Sequence, residues 1–262
     1  MADADAVRAA GLQDRLTADP GSSGAAPADP GQAMTLVDHL SELRTRIVRA
    51  ILAVVVGSAV GFYVAPAIRR ILVNPLPPEH RVLQVLGPGD AFAVTLRIAV
   101  VFGIILAMPV LLYQLWAFIA PGLTTAERKA LRPWIPLALF FFALGVTVAW
   151  IILPFAIGFL LAFTDEALVA NLTAPAYFDF VTTMFLAFGL LMEFPIVLYG
   201  LARVGILSSA RLAASRRIAM LGIAIFAAIA TPGGDIISPV VLGGTMYILF
   251  ELTVFAIRRG GR

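Results

Sequence analysis

The sequence of 262 residues contains no cysteine. That absence excludes a disulfide framework, thiolate-held metals, iron–sulfur clusters and cysteine nucleophiles together. Charge is scarce as well: Asp, Glu, Lys and Arg make up 13% of the chain, against ~25% in ordinary soluble domains. The hydrophobic set supplies 60%, a balance that belongs to a chain immersed in lipid. Histidine is nearly missing, with only His39 and His80, so no metal site and no cofactor is expected. No P-loop, HExxH, GxSxG or dinucleotide fingerprint occurs, which disfavours an ATP-driven pump and a metalloprotease. An intramembrane hydrolase lacks a nucleophile and base at membrane depth, since neither histidine falls within an apolar run. The net charge of +3 is too small and too dispersed to argue for nucleic acid.

What is present is a series of apolar runs behind a polar tail. Residues 1–33 are rich in Ala, Asp, Gly and Pro and carry no signal-peptide core, so they are expected to form a disordered cytoplasmic tail. Five Asp against two Arg in that stretch is the wrong balance for an organelle transit peptide and points to a prokaryotic plasma membrane. A membrane domain is expected over 34–259, followed by a cytoplasmic end at 260–262. Its apolar runs, at about 47–65, 96–118, 134–155, 178–201 and 239–257, approach the ~20 residues that cross ~30 Å of hydrocarbon. A sixth run at 218–230 is short for a span.

Charge parity decides provisionally for six spans. With the N-terminus inside and all six runs crossing, fifteen Lys and Arg fall on the inner side and four (Arg69, Arg70, Arg81, Arg97) on the outer. This positive-inside pattern weakens if 218–230 does not cross. The sequence therefore predicts an all-α membrane protein of six tilted, partly Pro-kinked helices, both termini cytoplasmic, the fifth span thin. Pro66, Pro75, Pro77, Pro78 and Pro88 should stiffen the first outer loop, and Pro136, Pro154, Pro195 and Pro239 fall in or at the ends of helices. Gly57 and Gly61 form one GxxxG, a packing pattern that also recurs by chance.

The chemistry left to consider lies in a few acids. Glu42 stands in TLVDHLSELRTRI, which reads as an amphipathic helix leading into the first span. It either pairs with Arg46 at i,i+4 or offers its carboxylate outward. Glu127 follows Thr124 by three residues in PGLTTAERKALRP. It either closes a capping box or accepts a guanidinium through charge-assisted bonds. Glu193, in FGLLMEFPIVLYG, and Glu251, in YILFELTVF, are ionisable groups inside apolar spans. A carboxylate there costs at least ~2.5 kcal/mol, so each should face a cavity, pair or take a proton. Asp235, in TPGGDIISP, is read first as a cap for the last helix. A small proton-coupled solute transporter would account for the acids at depth and the proline-broken helices.

Taken in order, these segments resemble the TatC family, the multispanning core subunit of the twin-arginine protein translocase. HLSELRTR is similar to that family's amino-terminal signature, and PVLLYQLWAFIAPGLTTAE to its second span and first cytoplasmic loop. FGLLMEFPIVLYGLARVGI resembles its fourth span with the buried acid, and ATPGGDIIS with YILFELTVF its closing hairpin. The resemblance implies a concave, glove-like bundle, recognition of twin-arginine signal peptides on folded cargo, and export driven by the proton-motive force without enzymatic turnover. By it, Glu42, Glu127 and Phe118 contact the signal peptide, and Glu193, Asp235 and Glu251 are functional polar groups of the membrane domain. It also implies the single-span partners TatA and TatB, self-association in the receptor complex, and a home in the lipid bilayer of the inner membrane.

Overall fold

Length and apolarity dictate helices: in hydrocarbon every backbone N–H and C=O must be satisfied within its own segment. The computed structural model describes residues 36–125, 128–129, 134–165, 168–203, 205, 207, 209–231 and 234–259, and the expected tail at 1–33 and the end at 260–262 lie outside them. Among these residues eight α-helices follow in order: α1 Leu36–Val73, α2 Asp90–Ile119, α3 Trp134–Leu161, α4 Ala174–Leu191, α5 Phe194–Arg203, α6 Ser209–Ala214, α7 Arg216–Ala230 and α8 Ile237–Arg259. Among the described residues five stretches are long and apolar enough to cross a membrane: His39–Val73, Asp90–Gly122, Trp134–Leu161, Ala174–Ala202 and Ile237–Arg259.

Prolines act according to where they fall. Pro136 and Pro239 sit in the first turns of α3 and α8, where a helix has no acceptor for the N–H that proline lacks. Pro66, Pro109 and Pro154 lie inside α1, α2 and α3 without ending them. Pro195 is different. It cannot donate to the Leu191 carbonyl, and the fourth span, expected as one helix over 178–201, divides into α4 and α5 around Met192 and Glu193. At the break the Glu193 N–H turns to the Leu190 carbonyl, 3.1 Å away, and helical bonding resumes with the Val197 N–H on the Glu193 carbonyl at 3.2 Å.

The core sits around α4, which packs against α2 and α3, while α8 packs against α3, α5 and α7. Phe178, Phe188, Met184, Leu153, Leu242 and Phe250 are fully enclosed there. Helix α1 is the converse case: Ile51, Leu52, Val55 and Val56 remain exposed, an apolar surface that only lipid or another protein can cover. Small residues seat it on α2, since a Cβ at Gly57 would lie 2.6 Å from the Gly103 carbonyl oxygen, and one at Gly61 would meet the Ala99 carbonyl. The GxxxG is thus a helix contact.

Helices α7 and α8 form an antiparallel hairpin. Arg216 meets Glu251 at one end, and Gly243 faces Ala227 and Ile223 nearer the turn. The 15 residues of α7 reach only ~22 Å at 1.5 Å per residue, which is why it falls below the length of the five longer spans.

Candidate functional site

The first cluster of polar groups forms where α1 and α2 approach each other. Four residues separate Glu42 from Arg46, one helical turn, so their side chains share a face. Arg46 donates from Nε to Glu42 Oε1 at 2.9 Å and from Nη2 to the same oxygen. Both side chains are only 18% exposed. Arg46 Nη1 also reaches Gln114 Oε1 on α2 at 3.4 Å, so one guanidinium ties the carboxylate of α1 to the amide of α2. The i,i+4 pairing that the sequence allowed is the one formed.

Phe118 lies one turn beyond Gln114 on α2 and is half-buried. Near it, Tyr113 and Trp116 bring their ring centroids to 6.4 Å. The chain then leaves α2 through a 3-10 turn, Ala120–Gly122. Arg128 straps that turn, its Nε and Nη2 donating to the Ala120 carbonyl at 3.2 and 2.8 Å. Glu127, and with it the choice between capping box and guanidinium acceptor, lies outside the described residues. Across the bundle, Trp134 at the start of α3 stacks on Tyr199 of α5, with centroids 3.7 Å apart.

The remaining acids are dispersed. Glu193 stands in the α4–α5 break, 8% exposed, and no described residue lies within hydrogen-bond reach of its Oε1. A bare carboxyl oxygen in a helix interruption has the makings of a polar site at membrane depth. Asp235 accepts from the Ser238 N–H in the first turn of α8, the capping role the sequence first suggested. Glu251 pairs: its Oε2 accepts from Arg216 Nη2 at 2.7 Å and its Oε1 from the Tyr247 hydroxyl at 3.3 Å. Asp235 precedes α8 and Glu251 lies in its second half, ~24 Å apart along the axis, so the two do not share a site.

Sequence reasoning passed over one ionic group. Arg97 of α2 pairs with Asp179 of α4, and its Nε and Nη2 donate to the hydroxyls of Thr182 and Thr183 at 2.9 and 3.0 Å. Asp179 falls within the expected span 178–201, so the test applied to Glu193 and Glu251 would have marked it. Among the described residues no group of three or more His, Cys, Asp or Glu is placed to hold a metal ion.

Comparison with known proteins adds an independent line. A model of the family described as Sec-independent protein translocase protein (TatC) matches residues 38–244. The Sec-independent protein translocase protein TatC of Carboxydothermus hydrogenoformans is 36% identical over 223 residues, covering 85% of this chain and 92% of that protein. That of Aquifex aeolicus is 34% identical over 227 residues, covering 85% and 94%. A crystal structure of the twin arginine translocase receptor TatC in DDM superposes with a TM-score of 0.74 at 33% identity, covering 84% of this chain and 99% of that one.

Proposed function

The chain belongs to the TatC family, the receptor subunit of the twin-arginine translocase, and from that premise we propose that it binds signal peptides bearing two consecutive arginines at the surface built by Glu42, Glu127 and Phe118. It is a multi-pass membrane protein of a transport system and not an enzyme, and the proton-coupled solute transporter is set aside with that assignment. The observation that carries the site is the hold on Glu42: a carboxylate at the α1–α2 junction that already accepts a guanidinium through two N–H groups. Two arginines cannot shed water without carboxylates to receive them, and each charged hydrogen bond contributes ~1.5–3 kcal/mol. Lysine keeps the charge and loses the planar fork, which favours arginine at both positions.

In this reading the signal peptide exchanges its own guanidinium for that of Arg46 at Glu42, while Glu127 on the neighbouring loop receives the second arginine. Glu193, bare in the helix break, serves as the polar centre of a concave membrane face. The α7–α8 hairpin crosses as the fifth and sixth spans, α7 in a thinned bilayer, so that both termini are cytoplasmic in a prokaryotic inner membrane. Single-span subunits of the TatA and TatB kind, together with further copies of this chain, complete the translocase, and the proton-motive force supplies the work. Equilibrium binding of a twin-arginine peptide tests the assignment of Glu127. Glu127→Gln retains the capacity for a capping hydrogen bond yet removes the charge, and it should weaken binding at least tenfold. Affinity equal to wild type removes Glu127 from the site.

A further inference from the structure

In the proposed topology four arginines lie on the outer side, poor in basic residues, and one has its charge met within the protein. Arg97 is neutralised by Asp179 and held by two threonines. Arg69, Arg70 and Arg81 are gathered around a single cavity of about 520 Å³ at the end of α1. Among the described residues no carboxylate lines it. Its remaining wall is largely apolar and includes Val94 of α2 and Phe178 of α4.

The cavity is braced by bonds that join three segments. Arg81 donates from Nε to the Leu76 carbonyl at 3.0 Å and from Nη2 to the Asn74 carbonyl at 3.1 Å. A guanidinium carries five N–H groups, so about three of those of Arg81 stay available. The Tyr177 hydroxyl donates to the Leu72 carbonyl at 2.6 Å, fixing the last turn of α1 to α4. The loop after Arg81 is clamped in turn, the Gln84 N–H on the Leu172 carbonyl at 2.9 Å and the Ala174 N–H on the Gln84 carbonyl at 2.7 Å. Neither Arg69 nor Arg70 makes a hydrogen bond or an ion pair with any described residue. Three positive charges with no described carboxylate at the cavity, set on a braced frame beside an apolar wall, call for an anion with an apolar body.

We propose that this cavity is a binding site for an anionic phospholipid, its phosphate received by Arg69, Arg70 and Arg81 and its glycerol and first methylenes laid against Leu83 and Val85, apolar lining residues that stay accessible. The phosphate suits planar guanidinium donors better than ammonium groups. The position at the end of a long span is where a headgroup stands, and basic pockets between transmembrane helices are a known physical solution for such headgroups. The bound lipid would cancel the charge that works against the topology and tie α1 to the loop that follows it. The inference is independent of signal-peptide recognition, and the proposed topology enters only in naming the leaflet, the outer one.

The test uses the full chain purified in a neutral detergent, with lipid retention read by native mass spectrometry after addition of phosphatidylglycerol, phosphatidylcholine or inorganic phosphate. The wild-type protein should retain phosphatidylglycerol at least tenfold over phosphatidylcholine, and an excess of inorganic phosphate should not displace it. Arg69→Gln with Arg70→Gln should abolish the preference, Arg70→Lys should reduce it severalfold, and Arg258→Gln with Arg259→Gln in the last turn of α8, outside the cavity lining, should leave it intact. Equal retention of the two lipids by the wild-type protein, or a preference surviving in the double variant, overturns the site. Displacement by inorganic phosphate reduces it to an ion site and overturns the lipid. The wild-type comparison needs no variant, so it decides even if the double variant fails to fold.

Discussion

Removing Arg46 should tighten signal-peptide binding, an unusual expectation for deleting a charge from a binding surface. In the resting protein Arg46 holds Glu42 through Nε and Nη2 and reaches Gln114, so an incoming arginine displaces an internal rival. A fully exposed i,i+4 pair is worth ~0.3–0.5 kcal/mol. Here both side chains are only 18% exposed, screening is weaker, and the bond to Gln114 is lost as well, which together bring the cost of displacement to about 1 kcal/mol. Arg46→Gln should therefore bind a twin-arginine peptide about fivefold more tightly than wild type. Glu42→Gln should act in the opposite direction, weakening binding by ~1.5–3 kcal/mol or roughly ten- to a hundredfold. The assay is titration of a fluorescent peptide against protein in lipid nanodiscs at fixed salt. If Arg46→Gln is folded and binds no better than wild type, Arg46 is not a rival and the exchange at Glu42 is wrong.

Two further perturbations test the frame behind that surface. A cysteine replacing Glu193 in this cysteine-free chain should react with a water-borne thiol reagent if the break holds a polar cavity, and a site sealed against the reagent would refute that reading. Gly145→Ala drives a Cβ into the Phe188 carbonyl at the α3–α4 contact, whereas the same change at Gly158 meets nothing within 4 Å. The first should lower stability in detergent by ~1–3 kcal/mol, the usual cost of overpacking; the second should leave melting unchanged.

Much of this architecture was legible because hydrophobic length is a strong signal. The five long spans follow from that alone, and the helix running through HLSELRTR into the first of them from its amphipathic spacing. The division of the fourth span was half visible: Pro195 announced a kink, but only packing decides whether a helix runs on, as at Pro154, or parts, as at Glu193. The acids were harder, because a sequence shows that a carboxylate is present and not what meets it. Glu251 finds Arg216, thirty-five residues earlier in the chain, and Asp179 finds Arg97 from another helix. Neither pairing has a local signature. Glu42 and Arg46, by contrast, lie one turn apart, and their pairing was readable from spacing. GxxxG could be weighed only once the facing residues, Gly103 and Ala99, were known.

The central claim is that carboxylates on this surface receive the paired arginines. Site-directed photocrosslinking of a signal peptide to the protein in native membranes tests it most directly, with a twin-lysine peptide and Glu127→Ala as the two controls. The account predicts a strong adduct with the twin-arginine peptide that vanishes in both controls while the variant still inserts. An adduct of equal yield in all three would contradict it, leaving a membrane fold of this family without the arginine site argued here.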